Sequence, residues 1–312
     1  MAKSRKKTTG SLILLIVTIL GILVTLFFLY KGYNIYKANL KKQKSLEKEV
    51  AELKVTNDTI TEKQKEIEEK ITNLETLDEQ IANKKQDIFK LASEVEKKIQ
   101  NKQTKAKIAY ITFDDGPYYN TYKVINILKK KQVKATFFTI GSGKTKCYDN
   151  SKYDCTKLYK EIVDNGHTIA NHTYSHAIFK GLYSSADSFI NQVKKQENLI
   201  KEKTGVTTNI LRFPGGSSTA GSNKKKQIAS KLSSMKYGWV DWTAQDGDGG
   251  DLENSTKAWS NLTGSINDNI EVILFHDYST ITTSILEKAI DYLEGKGYIL
   301  LPLFYESVKI NK

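Results

Sequence analysis

The chain is poor in the residues that punctuate a fold. Its 312 residues hold three prolines, all after residue 116, and no glycine falls between Gly32 and Gly116. So long a span without turn residues excludes a loop-rich domain there and leaves a long helix or a charged disordered tract. Charge is missing elsewhere: residues 8–30 carry none. Cysteine is scarce as well. Cys147 and Cys155 are the only two, and their spacing fits neither a CxxC redox pair nor a zinc knuckle. No cysteine lies near residues 8–30, which excludes a lipid-modified anchor. There are four histidines, so any site built on imidazole must draw on few positions.

The uncharged segment 8–30 is long enough to span a bilayer, which takes about 20 apolar residues. Lys3, Arg5, Lys6 and Lys7 precede it and favour a cytoplasmic basic tail over residues 1–7. Lys31, Lys37, Lys41 and Lys42 follow it, so the charge bias is not one-sided. A cleaved signal peptide would have a shorter apolar region and a small-residue cleavage site, and no Ala-x-Ala follows Tyr30. The expectation is a single-pass membrane anchor with everything after it outside the cell. The net charge of +13 asks for acidic partners. An external location makes these an anionic wall or membrane surface, not nucleic acid. In that compartment Cys147 and Cys155 are expected to pair as a disulfide pinning a polar loop.

From residue 46 onward an apolar residue recurs every seventh position: Leu46, Leu53, Ile60, Ile67, Leu74, Ile81, Ile88 and Val95. The companion positions are Val50, Asn57, Gln64, Ile71, Asp78, Lys85, Ala92 and Ile99, half of them polar. One unbroken seam and one interrupted seam predict a weak coiled coil, with a parallel homodimer as the default. Residues 31–104 are thus expected to form a stalk, its heptad stretch about 80 Å long at ~1.5 Å per residue.

Beyond residue 105, strand-like and helix-like runs alternate. Strands are expected at 108–113, 134–140, 168–170, 209–213, 239–242, 271–276 and 298–303, with helices at 121–131, 156–165, 185–203, 223–235, 255–267 and 282–294. That pattern predicts a parallel α/β sheet of about seven strands closing into a barrel. The run Ile108-Ala109-Tyr110-Ile111-Thr112-Phe113 stops at Asp114-Asp115-Gly116-Pro117. Buried carboxylates without a partner are costly. His172 and His176, four apart, offer the partner: two imidazoles and a carboxylate form a three-ligand metal site. His276 ends another apolar run, Val272-Ile273-Leu274-Phe275, at the kind of strand end where catalytic groups collect in such folds. Asp114 and Asp115 adjoin on an extended segment, so their side chains are expected to point opposite ways and take different tasks.

Five stretches, Thr112-Phe113-Asp114-Asp115-Gly116-Pro117, His172-Thr173-Tyr174-Ser175-His176, Arg212-Phe213-Pro214-Gly215-Gly216, Asp241-Trp242 and Leu274-Phe275-His276, resemble the ordered motifs of the NodB-type polysaccharide deacetylases, carbohydrate esterase family 4. The likeness covers residues 105–312. It implies a distorted (β/α) barrel and a metal-dependent hydrolase removing N-acetyl groups from a cell-wall polysaccharide such as peptidoglycan. An O-acetyl esterase, a chitin-type deacetylase or a silent wall-binding scaffold are the alternatives.

The resemblance also implies roles. Asp115, His172 and His176 would bind a divalent transition ion; zinc leads, with Co2+, Ni2+, Mn2+ or Fe2+ open. Asp114 would be the general base, with Arg212 pairing to it and keeping it ionised. Gly215 stands where the family often has an aromatic residue, and its N–H would help hold the oxyanion. His276 would be the general acid. Tyr118, Pro214, Trp242 and Leu274 would contact substrate. The fourth motif departs most from the pattern: Asp241 and Asp248 are both candidates to orient His276, with Gln245 at the usual aspartate position. His167 lies outside the motifs and reads as structural.

Overall fold

The structure, a computed structural model, describes residues 3–141 and 155–312, without the side chains of residues 3–17, 19, 24, 78 and 82. It divides into two compact units, Met1–Ala82 and Asn83–Lys312. The first unit is helix: α1 runs Lys3–Gln100 and continues into the second. Leu46, Leu53, Ile60, Ile67, Leu74 and Ile81 lie exposed along it. Among the described residues no helix is long and apolar enough to cross a membrane. Much of the expected anchor, the side chains of 8–17, 19 and 24, lies outside the described residues, and so does Cys147. Cys155 is described, and is buried.

The second unit begins at Asn83, well upstream of the expected boundary at 105. The reason is a change of partner for the last turns of α1. Ala92 and Ile99, seam positions expected to face a second helix, share a buried cluster with Ile108, Tyr110, Leu303 and Phe304. Glu96 is fully buried there; it accepts hydrogen bonds from the Tyr110 hydroxyl and the Val308 N–H. An apolar seam looks the same in sequence whether it meets another helix or the base of a barrel.

Seven strands run parallel in one open path, in the order β5 (Gly238–Trp239), β4 (Ile210–Leu211), β3 (Thr168–Asn171), β2 (Thr136–Thr139), β1 (Lys107–Asp114), β7 (Ile270–His276) and β6 (Ala244–Gln245), and β8 (Tyr298–Leu300) pairs with the first half of β1. The central strands β1 (Lys107–Asp114) and β7 (Ile270–His276) are buried on both faces, which is why their sequences are nearly continuous apolar runs. Side chains alternate. Ala109, Ile111 and Phe113 face the helices, packing with Val124 and Leu128 of α2 (Thr121–Lys130) and Leu286 and Ile290 of α7 (Thr280–Gly295). Ile108 and Tyr110 face the interior. Thr112 and Asp114 follow on that inner side.

The single strand expected at 239–242 is two: β5 (Gly238–Trp239) and β6 (Ala244–Gln245). β5 pairs with β4 (Ile210–Leu211) at one edge, and β6 pairs with β7 at the other. Residues 240–243 therefore cross the mouth between the two edges, and no ladder closes the barrel among the described residues. Arg212 fills this gap. Its guanidinium donates to the carbonyls of Val240 (3.3 Å) and Asp241 (3.4 Å), satisfying backbone acceptors that a ladder would otherwise use.

Candidate active site

Register brings the site together. β1 pairs with β7 so that Asp114 lies beside His276. β3 (Thr168–Asn171) ends immediately before His172, and its Asn171 lies beside Leu211, immediately before Arg212. All these residues collect at the C-terminal ends of parallel strands. His167, at the opposite end of β3, is buried and accepts the Ala135 N–H at 3.2 Å. It lines a cleft of about 850 Å³ beside Phe89, Lys90 and Phe304 that contains no sequence-predicted catalytic or metal residue.

The two adjacent carboxylates do not diverge as an extended segment would require. Strand β1 ends at Asp114, and Asp115 adopts a left-handed φ of 73°. That turn re-aims its side chain, so that Asp114 Oδ2 and Asp115 Oδ1 stand 3.5 and 3.6 Å from the same His172 Nε2. His176, also left-handed at φ 48°, places Nε2 3.3 Å from Asp115 Oδ1. Such conformations cost energy and persist at functional sites where the surroundings enforce them.

A cation fits this cluster. The ligand atoms of Asp115, His172 and His176 all lie within 4.8 Å of one another. His172 Nδ1 is 2.8 Å from the Arg212 carbonyl, so Nδ1 carries the proton and Nε2 presents a lone pair. Burial, with the charge of His176 added, lowers the His172 pKa to about 3, so the ring stays neutral. Asp115 Oδ1 is buried without a hydrogen-bond partner among the described residues. Lone pairs converging on a buried, unsatisfied oxygen are the donor set of a metal site.

Asp114 is occupied differently. Its Oδ1 accepts from Arg212 Nη1 at 2.8 Å, and the same nitrogen donates to Thr112 Oγ1 at 2.7 Å. Arg212 is fully buried, with its guanidinium 4.2 Å over the Phe138 ring. The expected pairing is present, but its effect on Asp114 is outweighed: burial raises the carboxyl above its ordinary pKa, and Arg212 only moderates this. A base so raised is stronger.

On the other wall, His276 Nδ1 lies 2.7 Å from Asp248 Oδ1, and the His276 backbone N–H donates to Asp248 Oδ2 at 2.8 Å. Burial disfavours the imidazolium, but the hydrogen bond and charge of Asp248, with Asp114 and Asp115 beyond, raise the pKa to about 9. Asp248 is thus the residue that orients His276. Asp241, the other candidate, accepts from the Ser217 N–H (2.9 Å) and hydroxyl (2.6 Å) and pins the loop after Arg212. Gln245 is exposed on β6.

The remaining predicted contacts rim the cleft. Trp242 is half-buried and lies against Gly216, where an added Cβ would come 3.1 Å from its ring. Gly215 is exposed at φ 71°. Pro214 is buried, its carbonyl accepting the Tyr183 hydroxyl, and Leu274 is buried beside β6. Tyr118 stands edge-to-face with Tyr278, 5.4 Å between rings. Tyr278, 5.2 Å from the His276 ring, was not anticipated, nor was buried Asp277. Burial pushes the Asp277 carboxyl up to about 7, and Thr121 donates to its Oδ2. The signal was local: both residues directly follow His276.

Gly249 carries a prediction. A Cβ there would lie 2.7 Å from His276 Cε1, so Gly249→Ala forces the imidazole or the exposed loop carrying residue 249 to shift. A shift of about 1 Å can cost on the order of 10²-fold in rate. The variant should bind metal normally and hydrolyse substrate ~10–100-fold more slowly. An unchanged rate would show that His276 is not positioned by this contact.

A carboxylate held by Arg212, a three-residue cluster that fits a cation and an imidazole backed by a carboxylate meet in one cleft, an arrangement suited to hydrolysis. Comparison with known proteins agrees. A family profile described as polysaccharide deacetylase matches residues 101–235. A peptidoglycan-N-acetylglucosamine deacetylase of Bacillus cereus is 30% identical over 224 residues, 68% of this chain and 77% of that protein. A chitin deacetylase of Colletotrichum lindemuthianum is 29% identical over 205 residues, 62% of this chain and 77% of that protein. Among solved structures, the catalytic domain of a peptidoglycan N-acetylglucosamine deacetylase from Eubacterium rectale superposes with a TM-score of 0.59 at 28% identity, covering 66% of this chain and 92% of that one. The chain belongs to the polysaccharide deacetylase family, the NodB-type enzymes of carbohydrate esterase family 4.

Proposed function

We propose that this protein is a metal-dependent polysaccharide N-deacetylase acting on N-acetylglucosamine of peptidoglycan. The observation that carries the reading is the division of proton-transfer groups across the cation site, with Asp114 held by Arg212 on one wall and His276 held by Asp248 on the other. A divalent ion held by Asp115, His172 and His176 would act as a Lewis acid on the acetyl carbonyl and acidify water. Zinc suits two imidazoles and a carboxylate, and Co2+, Ni2+, Mn2+ and Fe2+ remain candidates. Asp114, its basicity raised by burial, accepts the proton of the attacking water. The Gly215 N–H assists the developing oxyanion. His276 uses Nε2, since Nδ1 is committed to Asp248, to protonate the departing nitrogen. The carbonyl carbon gains an oxygen, the C–N bond breaks, and acetate and a free amine result. Trp242, Leu274, Pro214 and Tyr118 line the path of the sugar and its acetyl group.

The test is acetate release from peptidoglycan, chitooligosaccharide and acetylxylan in parallel, with metal content measured on the same protein. Peptidoglycan should be deacetylated fastest. Preference for acetylxylan would make the enzyme an O-acetyl esterase. Stoichiometric metal with no acetate from any glycan would leave a wall-binding scaffold.

The location is part of the same proposal. The uncharged length of residues 8–30 and the basic residues before it support a single-pass anchor with a cytoplasmic N-terminus and an external catalytic unit. Exposed apolar residues at every seventh position from Leu46 to Ile81 support pairing of two chains through the stalk. That pairing must stop before Ala92, whose face is taken by the catalytic unit. A disulfide between Cys147 and Cys155 fits an external location.

A further inference from the structure

Behind His276 lies a second buried carboxylate, Asp246, directly after β6. Its Oδ1 accepts the Asp248 N–H at 3.1 Å, and its Oδ2 lies 2.8 Å from Thr282 Oγ1 in the first turn of α7. The same Thr282 hydroxyl contacts Asp248 Oδ2. The contacts therefore run in a line from Asp246 through Thr282 and Asp248 to His276.

A hydroxyl carries one hydrogen, and two carboxyl oxygens share it here. With both carboxyls ionised, one contact would set lone pair against lone pair, and two like charges would share a dry site. With one protonated, every contact is satisfied: that acid donates to Thr282 Oγ1, and Thr282 donates to the other. The proton belongs on Asp246. Asp248 already accepts from the imidazole and backbone N–H of His276. Among the described residues the Asp246 carboxyl meets a backbone N–H besides Thr282, and its neighbour from α6 (Ser255–Ser265), Asn261, donates to its main-chain carbonyl. Among the described residues, the ionisable group facing it is Asp248, with His276 beyond. Burial and the charge of Asp248 push the Asp246 carboxyl up to about 7, while the interactions of Asp248 with His276 outweigh its own burial and hold it low.

We propose that Asp246 is a positioning residue that works as a neutral carboxylic acid, fixing the Thr282 hydroxyl as a donor to Asp248 and so holding Asp248 as the ionised partner of His276. The inference rests on the deacetylase reading of the site.

The two carboxylates should then respond oppositely to the same substitution. In Asp246→Ala the Thr282 hydroxyl keeps its contact with Asp248 but is no longer fixed from behind. Acetate release should fall ~10–100-fold in kcat with KM unchanged, as for other outer supports of catalytic groups, and the alkaline limb of the pH profile should move down. Asp246→Asn offers an N–H to Thr282 in place of the acid O–H, and should rescue most of that loss with the limb restored. If Asp246→Asn falls as far as Asp248→Asn, Asp246 works as an anion and the proposal is wrong. If Asp246→Ala keeps full rate and an unchanged profile, Asp246 is a bystander. Should the alanine variant fail to fold, difference infrared spectroscopy of the full chain at pH 6, wild type against Asp246→Asn, decides without substrate. Loss of one protonated-carboxyl band in the variant supports the proposal, and an unchanged band overturns it. Failure of the wild type to release acetate would instead defeat the deacetylase reading and leave the infrared result standing.

Discussion

Asp114→Asn should keep its metal and lose acetate release by about 10²–10⁴-fold, the usual weight of a general base. Asp115→Asn should do the reverse in kind: bind metal weakly and recover part of its activity when metal is added in excess. The two predictions follow from which atoms are already engaged. Asp114 Oδ1 is held by Arg212 Nη1 at 2.8 Å, and an amide oxygen can still accept that bond. Asp115 Oδ1 is buried, has no hydrogen-bond partner among the described residues, and faces Nε2 of both His172 and His176. Converting it to an amide removes the one anionic member of the cation site. Asp114→Ala is a poorer test, because it strands a fully buried guanidinium, and an uncompensated buried charge costs about 3–5 kcal/mol. Bound metal and acetate release measured on both asparagine variants separate the roles. Metal lost from Asp114→Asn and kept by Asp115→Asn would exchange them.

The residues of the site are legible in the sequence, while their orientation is set by backbone turns that the sequence barely marks. Strands β1 and β7 are evident because burial on both faces makes them continuous apolar runs, and their ends deliver Asp114 and His276. The spacing of His172 and His176 likewise announces a ligand pair. What sequence could not give was the left-handed turn at Asp115, since a non-glycine residue rarely adopts it. Without that turn, alternation sends the two carboxylates apart. The break between β5 and β6 was hidden for a related reason. Residues 239–242 have strand-like composition, and the guanidinium of Arg212, distant in sequence, takes the Val240 and Asp241 carbonyls that a ladder would otherwise use. The end of the stalk is hard to read because Ala92 and Ile99 continue the heptad while changing partner. A polar hint existed: Glu96, a charged residue on ordinary helix composition, becomes fully buried.

Asp248→Asn should cost about as much as removing a general acid, 10²–10⁴-fold, and should also change the pH profile, which simple loss of packing would not. Three donors converge on the Asp248 carboxylate: His276 Nδ1 on Oδ1, and the His276 backbone N–H with the Thr282 hydroxyl on Oδ2. An asparagine must point its NH2 at one side or the other. Facing Oδ2's partners it meets two donors. Facing His276 it is tolerated only if Nδ1 gives up its proton, which leaves a neutral ring whose remaining N–H is far too weak an acid to protonate an amine. The sign of the pH effect follows. Asp248 raises the His276 pKa to about 9 against burial, so wild-type activity should decline as pH rises through that value and the acid loses its proton. With the charge gone, burial prevails, the imidazolium is lost at lower pH, and the alkaline limb moves down. Asp241→Asn is the control. Asp241 bonds Ser217 and makes no contact with His276 among the described residues, so its loss should loosen the loop by about 1–3 kcal/mol and leave the alkaline limb in place. If kcat against pH shows the limb moving in Asp241→Asn and not in Asp248→Asn, the assignment of the orienting carboxylate is wrong.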